Sequence, residues 1–176
     1  MSRIAALLLS AGLLSSCAAA QRPDGGTGLL PVGSPAPDVS GIDQGGQAHR
    51  LSETLGSVTV VYFYPKDETP GCTTEACAFR DAWDKYAAAG VKLFAVSRDT
   101  SASHKEFAGK HALPFPLIAD PDGAWATPFG VAKRLGMNQR VSFVIGKDGK
   151  VARVYADVNP AVHATEVLAD IEKLLK

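Results

Sequence analysis

The chain has 176 residues, 46% hydrophobic and 20% charged, enough for one globular domain with length left over for a tail or targeting segment. Lys+Arg and Asp+Glu both number 18, so the formal net charge is zero, and with no basic cluster the composition excludes an electrostatic grip on a nucleic-acid backbone. Three cysteines are too few for a disulfide scaffold.

The N-terminus reads as an address rather than as fold. Met1-Ser-Arg3 is a short positive start, and Ile4 to Leu14 is apolar but for Ala, Ser and Gly. That run is too short to span a bilayer, which needs about 20 residues, and has the length of a signal-peptide core. Leu14-Ser-Ser-Cys17 resembles a bacterial lipobox, in which the cysteine is lipidated; the alternative is a cleaved signal with a chance cysteine. The expected organisation is a signal peptide over residues 1–16, a lipidated Cys17 with a flexible tether over 17–30, and a folded domain over 31–176. Ala18 in place of aspartate favours an outer membrane, by resemblance to lipoprotein sorting. Pro, Asp and Gly between Gln21 and Gly28 carry the tether reading.

The elements then follow in order. Leu29 to Pro37 is Pro-rich and extended. Val39–Ile42 and Gln47–Leu51 flank Asp43-Gln-Gly-Gly46, a hairpin pattern. Val58–Tyr64 is continuously apolar and β-branched or aromatic, as a strand buried on both faces should be. Thr73–Ala89 has helical spacing, with Ala76, Phe79 and Tyr86 on one face and Gly90 as its stop. Strands are predicted over 91–96 and 117–119, with a helix over 103–111 between them and a helical turn over 124–129. Val141–Ile145 and Val151–Tyr155 flank Lys147-Asp-Gly149, a hairpin signal. An amphipathic helix over 160–175 closes the chain. A hairpin, a β-α-β-α run, a strand pair and a helix make an α/β domain with a mixed sheet.

Chemistry concentrates between Tyr62 and Asp81. A strand pattern ends at Pro65, a turn follows, and Cys72 falls where a helix begins. First-turn N–H groups lack backbone partners, and the helix dipole favours negative charge there, so both favour the nucleophilic thiolate. Cys77 follows five residues later on the same predicted helix. A disulfide between them cannot close across an intact helix. Five residues rise about 7.5 Å and rotate about 500°, whereas a disulfide wants Cα atoms within about 7 Å and converging Cβ vectors.

Pro65, Thr69 and Cys72 reproduce Pro-x-x-x-Thr-x-x-Cys, and the chain thereby resembles the peroxiredoxins. Gly71 before the cysteine and Glu75-Ala-Cys77 after it are similar to the bacterioferritin comigratory protein (PrxQ) branch. The resemblance runs from about Leu30 to the C-terminus and implies a thioredoxin-like fold with an N-terminal hairpin extension. It implies a thiol peroxidase that reduces hydrogen peroxide and organic hydroperoxides, needs no cofactor or metal, draws on a thioredoxin-like or other exported thiol reductant, and is often monomeric.

The same resemblance implies roles. Cys72 is the peroxidatic nucleophile, against a buried inert cysteine. Thr69 hydrogen-bonds peroxide and thiolate, against a plain helix cap. Pro65 shields the site, against simply ending the strand. Arg140 reaches under the cysteine and stabilises charge on the transferring oxygen, against a solvated strand-end arginine. Cys77 resolves the sulfenic acid after local unwinding, against a core cysteine with an external resolving thiol. Glu75 is expected in first-turn dipole contacts, and Arg80 and Asp81 in surface pairs. Phe79, Trp83, Trp125 and Phe129 are expected in the core, and Ser97-Arg98-Asp99 as a wall of the pocket. His49, His104, His111 and His163 lack ligand spacing, and Asp120-Pro-Asp-Gly123 lacks the further ligands of a calcium loop. Two other functions stay open: a membrane-tethered thiol–disulfide oxidoreductase, which normally uses Cys-x-x-Cys, and a copper-handling lipoprotein on the same fold.

Overall fold

The computed structural model describes residues 20–175; the expected signal segment and Cys17 lie outside them. β1 (Ser40–Asp43) and β2 (Ala48–Arg50) form the expected hairpin. β3 (Thr59–Phe63), α1 (Pro70–Asp81), α2 (Trp83–Ala88), β4 (Lys92–Ser97), α3 (Ser101–His111) and β5 (Leu117–Ala119) follow. Then come β6 (Lys133–Arg134), β7 (Met137–Asn138), β8 (Val141–Ile145), β9 (Val151–Tyr155) and α4 (His163–Leu174).

Seven strands make one mixed sheet in the order β2-β1-β5-β4-β3-β8-β9. β3 pairs parallel with β4 and antiparallel with β8, and all five of its residues are buried. Because successive strand residues point to opposite faces, β3 feeds two cores. Val60 and Tyr62 pack with Phe79, Tyr86, Phe107, Val167 and Ile171 from the helices. Val61 and Phe63 pack on the other face with Leu30, Trp125, Phe129 and Phe143. The core expectation for Phe79, Trp125 and Phe129 holds, while Trp83 is half-buried against the same core as Phe79.

Three local expectations change. The helix expected over 73–89 is two helices, broken at Ala82 (φ −92°, ψ −1°). It starts earlier, at Pro70, because proline suits the first helical position, where its missing N–H costs nothing. Residues 124–129 are turns, as expected, with the Thr127 N–H donating to the Gly123 carbonyl at 2.9 Å in one helical turn; the segment is held by the Asp120 carboxylate, which accepts from the Trp125 and Ala126 N–H groups at 3.0 and 2.9 Å. The β6–β7 hairpin, unforeseen, turns on Leu135 (φ 50°) and Gly136 (φ 84°).

The stretch read as a tether folds back on the domain. Arg22 donates to the Gly28 carbonyl at 2.8 Å, the Gly28 N–H donates to Ala20, and the Leu30 N–H donates to Phe129 at 3.0 Å with the Leu30 side chain buried. One arginine, by satisfying loop carbonyls, orders a segment whose composition alone suggests flexibility.

Candidate active site

The turn between β3 and α1 is tied to the sheet through Asp67. Tyr64 continues the parallel pairing, its N–H donating to Val96. The Asp67 carboxylate accepts from the Tyr64 hydroxyl at 2.7 Å and the Ser103 hydroxyl at 2.7 Å, and meets His104 Nδ1 at 2.9 Å. The Asp67 N–H donates to Asp99, which also accepts from Ser97. His104 Nε2 faces the Ile118 carbonyl at 3.2 Å, so the ring bridges α3, β5 and the turn. Burial works to raise the Asp67 carboxyl, and hydrogen bonds from His104, Ser103 and Tyr64 outweigh it, holding it below the ordinary range. Glu68 follows at φ 60°, a left-handed conformation that turns the chain into the helix.

Thr69 occupies the cap position of α1, but its hydroxyl makes no cap bond and instead donates to the Lys66 carbonyl at 3.0 Å. The simple capping role is therefore not the one the side chain plays. Its oxygen lone pairs stay available beside the first turn. Cys72 is the third residue of α1, 1% exposed, with its N–H among those that the helix leaves without an intrahelical acceptor.

Arg140, just before β8, brings a guanidinium to this turn. Nη2 donates to the Cys72 sulfur at 3.2 Å, and Nη1 pairs with Glu75. Gly71 allows the approach: a Cβ there would stand 3.3 Å from Arg140 Nη2. Glu75 lies in the second turn of α1, not the first, because the helix starts at Pro70; it is fully buried, and its Oε1 has no partner. Burial pushes its carboxyl up to about 7, against the pull of Arg140. Behind Arg140, His163 is buried with Nε2 on the Ser142 hydroxyl at 2.8 Å, and burial and then the Arg140 charge hold its ring down at about 4.

Cys77 sits half-buried five positions on, with α1 unbroken between the two sulfurs, and both cysteines are free thiols. Pro65, Lys66, Arg98, Asp99, Leu135 and Met137 line an open groove of about 250 Å³, whereas Ser97, expected with Arg98 and Asp99 as a wall, is buried and donates to Asp99. Arg80 pairs with Asp81 as expected, and also donates to the His111 carbonyl at 2.8 Å.

The site thus joins Cys72 and Arg140 at the first turn of α1, with Thr69 at its cap position, and Pro65 precedes them in the turn after β3. Asp67, Glu75, His104 and His163 enter as buried supports that spacing alone does not signal. Among the described residues no three His, Cys, Asp or Glu side chains gather as a metal would need.

Residues 32–154 match the model of the AhpC/TSA family. Peroxiredoxin Q of rice chloroplasts (Oryza sativa subsp. japonica) is 41% identical over 150 residues, covering 84% of this chain and 69% of that protein. The peroxidoxin BcpB structure from Mycobacterium tuberculosis is 34% identical with a TM-score of 0.77, covering 82% of this chain and 98% of its own. The bacterioferritin comigratory protein of Xanthomonas campestris, studied for alkyl peroxide reduction in trapped intermediate and ligand complexes, has the same identity and TM-score, covering 85% and 99%.

Proposed function

Because the chain belongs to the AhpC/TSA family, in its peroxiredoxin Q branch, with the thioredoxin-like fold and thiol peroxidase activity of that family, we propose that Cys72 is its peroxidatic nucleophile. The observation that carries this assignment is the Arg140 Nη2 at 3.2 Å from the Cys72 sulfur, at the first turn of a helix. The guanidinium and the free helical N–H groups hold negative charge on sulfur without reorganising during the reaction. The thiolate attacks one peroxide oxygen, the O–O bond breaks, and the other oxygen leaves with a proton as water or an alcohol. Cys72 is left as a sulfenic acid. Arg140 follows the charge from sulfur to the departing oxygen, Thr69 presents its oxygen to the peroxide, and Pro65 keeps bulk water off the sulfur. Hydrogen peroxide and organic hydroperoxides are the substrates, the latter supported by the alkyl peroxide reduction described for the Xanthomonas protein.

Cys77 resolves the sulfenic acid as an intramolecular disulfide. The first turns of α1 must unwind for this, since the intact helix keeps the two residues on different faces. A thioredoxin-like or other exported thiol then reduces the disulfide. The working form is a monomer, exported and anchored by lipid on Cys17. The support is the apolar run and Leu14-Ser-Ser-Cys17 in the sequence. Globomycin-treated cells should accumulate a larger precursor, and metabolic palmitate should label Cys17; absence of both removes the anchor.

Peroxide consumption with dithiothreitol tests the chemistry. Native chain turns over, Cys72→Ser does not, and Cys77→Ser retains the first oxidation but forms no intramolecular disulfide. Undiminished turnover in Cys72→Ser would overturn the assignment.

A further inference from the structure

Beyond the peroxide site, Cys77 has neighbours of its own. His111, the last residue of α3, turns Nδ1 to the Cys77 sulfur at 4.0 Å. The opposite nitrogen, Nε2, is buried without a hydrogen bond and lies 3.6 Å from the Glu68 carboxylate. The ring stands edge-on to Phe107, centroids 5.0 Å apart, and Arg80 fixes the residue by its carbonyl at 2.8 Å. The charged groups facing it are Glu68, which also pairs with Lys110 at 2.6 Å, and Arg80, whose guanidinium pairs with Asp81. A thiol, an imidazole and a carboxylate in series, the imidazole held by packing on one side and backbone on the other, is the arrangement by which a nucleophile is activated by a base that a third group orients.

We propose that His111 is the general base for Cys77 in the resolving step, oriented by Glu68; the proposal rests on the reading of Cys77 as the resolving thiol. His111 Nδ1 takes the Cys77 proton before α1 unwinds. The thiolate, escorted by the Arg80 cation, attacks the Cys72 sulfenic sulfur. The S–S bond forms, the S–O bond breaks, and hydroxide leaves to become water with the proton that His111 returns. Cys77 sulfur is oxidised and Cys72 sulfur reduced, so no outside electron carrier enters the step. Glu68 belongs to the turn that carries Thr69, so the same turn supports both thiols.

The test is single-turnover oxidation of the full chain with one equivalent of hydrogen peroxide, quenched with dimedone to count surviving sulfenic acid. Native protein is compared with His111→Gln and with His111→Phe, which keeps a ring against Phe107. An unassisted thiol is only about 3% ionised at pH 7, so losing the base should lengthen the sulfenic acid lifetime by up to roughly 30-fold. The slowing falls on disulfide formation, and its rate in the variants should then climb about tenfold per pH unit toward pH 8, while the native rate changes little. Alkylation of Cys77 by iodoacetamide in a Cys72→Ser background should slow at pH 7 by a similar factor. Native lifetimes, a native pH profile and native alkylation in both variants would overturn the role of His111. A native chain that forms no Cys72–Cys77 disulfide would instead overturn the resolving role of Cys77, and this proposal with it.

Discussion

Arg140 and Glu75 form an ion pair whose second guanidinium nitrogen is committed to the Cys72 sulfur, so the carboxylate aims the arginine at the thiol. A planar fork can hold both partners at once, and a lysine ammonium cannot. Arg140→Lys should therefore lower the rate of Cys72 oxidation by about 100- to 1,000-fold, as removal of one preorganised charge-stabilising donor does. Stopped-flow oxidation by hydrogen peroxide reads this directly, and a loss under tenfold would contradict it.

Thr69 makes no cap bond and donates to the Lys66 carbonyl instead, so on the proposed assignment its hydroxyl matters to the peroxide rather than to the helix. Thr69→Val should change stability by less than about 0.5 kcal/mol while reducing peroxide turnover about 100-fold. Thr69→Ser should restore most of the turnover. A helix-capping threonine would show the reverse, a stability loss of about 1 kcal/mol with turnover intact.

Glu75 and His163 give stability opposite slopes in pH. The Glu75 carboxyl is raised from 4.5 to about 7, so the folded protein binds the extra proton, and that stability is present below pH 4.5 and lost as pH rises to 7. The His163 ring is lowered from 6.5 to about 4, so the unfolded chain binds the extra proton, and that stability is present above pH 6.5 and lost as pH falls to 4. Each is worth roughly 3 kcal/mol. Between pH 4.5 and 6.5 the two contributions should therefore oppose each other in the native protein. Glu75→Gln should expose a rise with pH, and His163→Gln a fall, in urea titrations at several pH values.

Asp67 and His104 are a buried pair, with side chains 3% and 0% exposed. Asp67→Ala removes the acceptor shared by the Tyr64 and Ser103 hydroxyls and His104 Nδ1, and should cost about 1–3 kcal/mol for each buried donor left unsatisfied. The same change frees the turn that carries Thr69, and Cys72 oxidation should slow together with the loss of stability. Chemical denaturation and stopped-flow on one preparation check both.

Gly130 lies at φ 70°, and a Cβ there would fall 1.9 Å from the Gly28 carbonyl oxygen. Gly130→Ala should lift the segment around Gly28 off the domain. The Leu30 amide, now bonded to Phe129, should lose its hydrogen-exchange protection while the β3 amides keep theirs.

The central strands and the turn carrying Pro65, Thr69 and Cys72 were legible in the sequence, because an apolar β-branched run and a three-residue motif are local signals; Arg140, 68 positions from Cys72, entered only through the family resemblance. The supports were not. Glu75 looked like a first-turn residue until Pro70 set the helix start, and its partner lies 65 positions away. Asp67 meets His104 across 37 positions and His163 meets Ser142 across 21, distances over which spacing in the chain says nothing. The β6–β7 hairpin has two-residue strands and places Leu135, an apolar residue, at positive φ and 97% exposed, against ordinary propensity. The ordered segment around Arg22 depends on one side chain reaching backbone carbonyls, which composition cannot register.

The measurement closest to the central claim is the mass of one tryptic peptide after a single equivalent of peroxide. Asp67 to Arg80 carries both Cys72 and Cys77, and no other cysteine. In Cys77→Ser protein this peptide should gain about 16 Da as a sulfenic acid, with fragmentation placing the oxygen on Cys72; in the native chain it should lose about 2 Da as a disulfide. Oxygen found on Cys77 in the Cys72→Ser protein at the native rate, with Cys72 untouched in the reciprocal variant, would contradict the account.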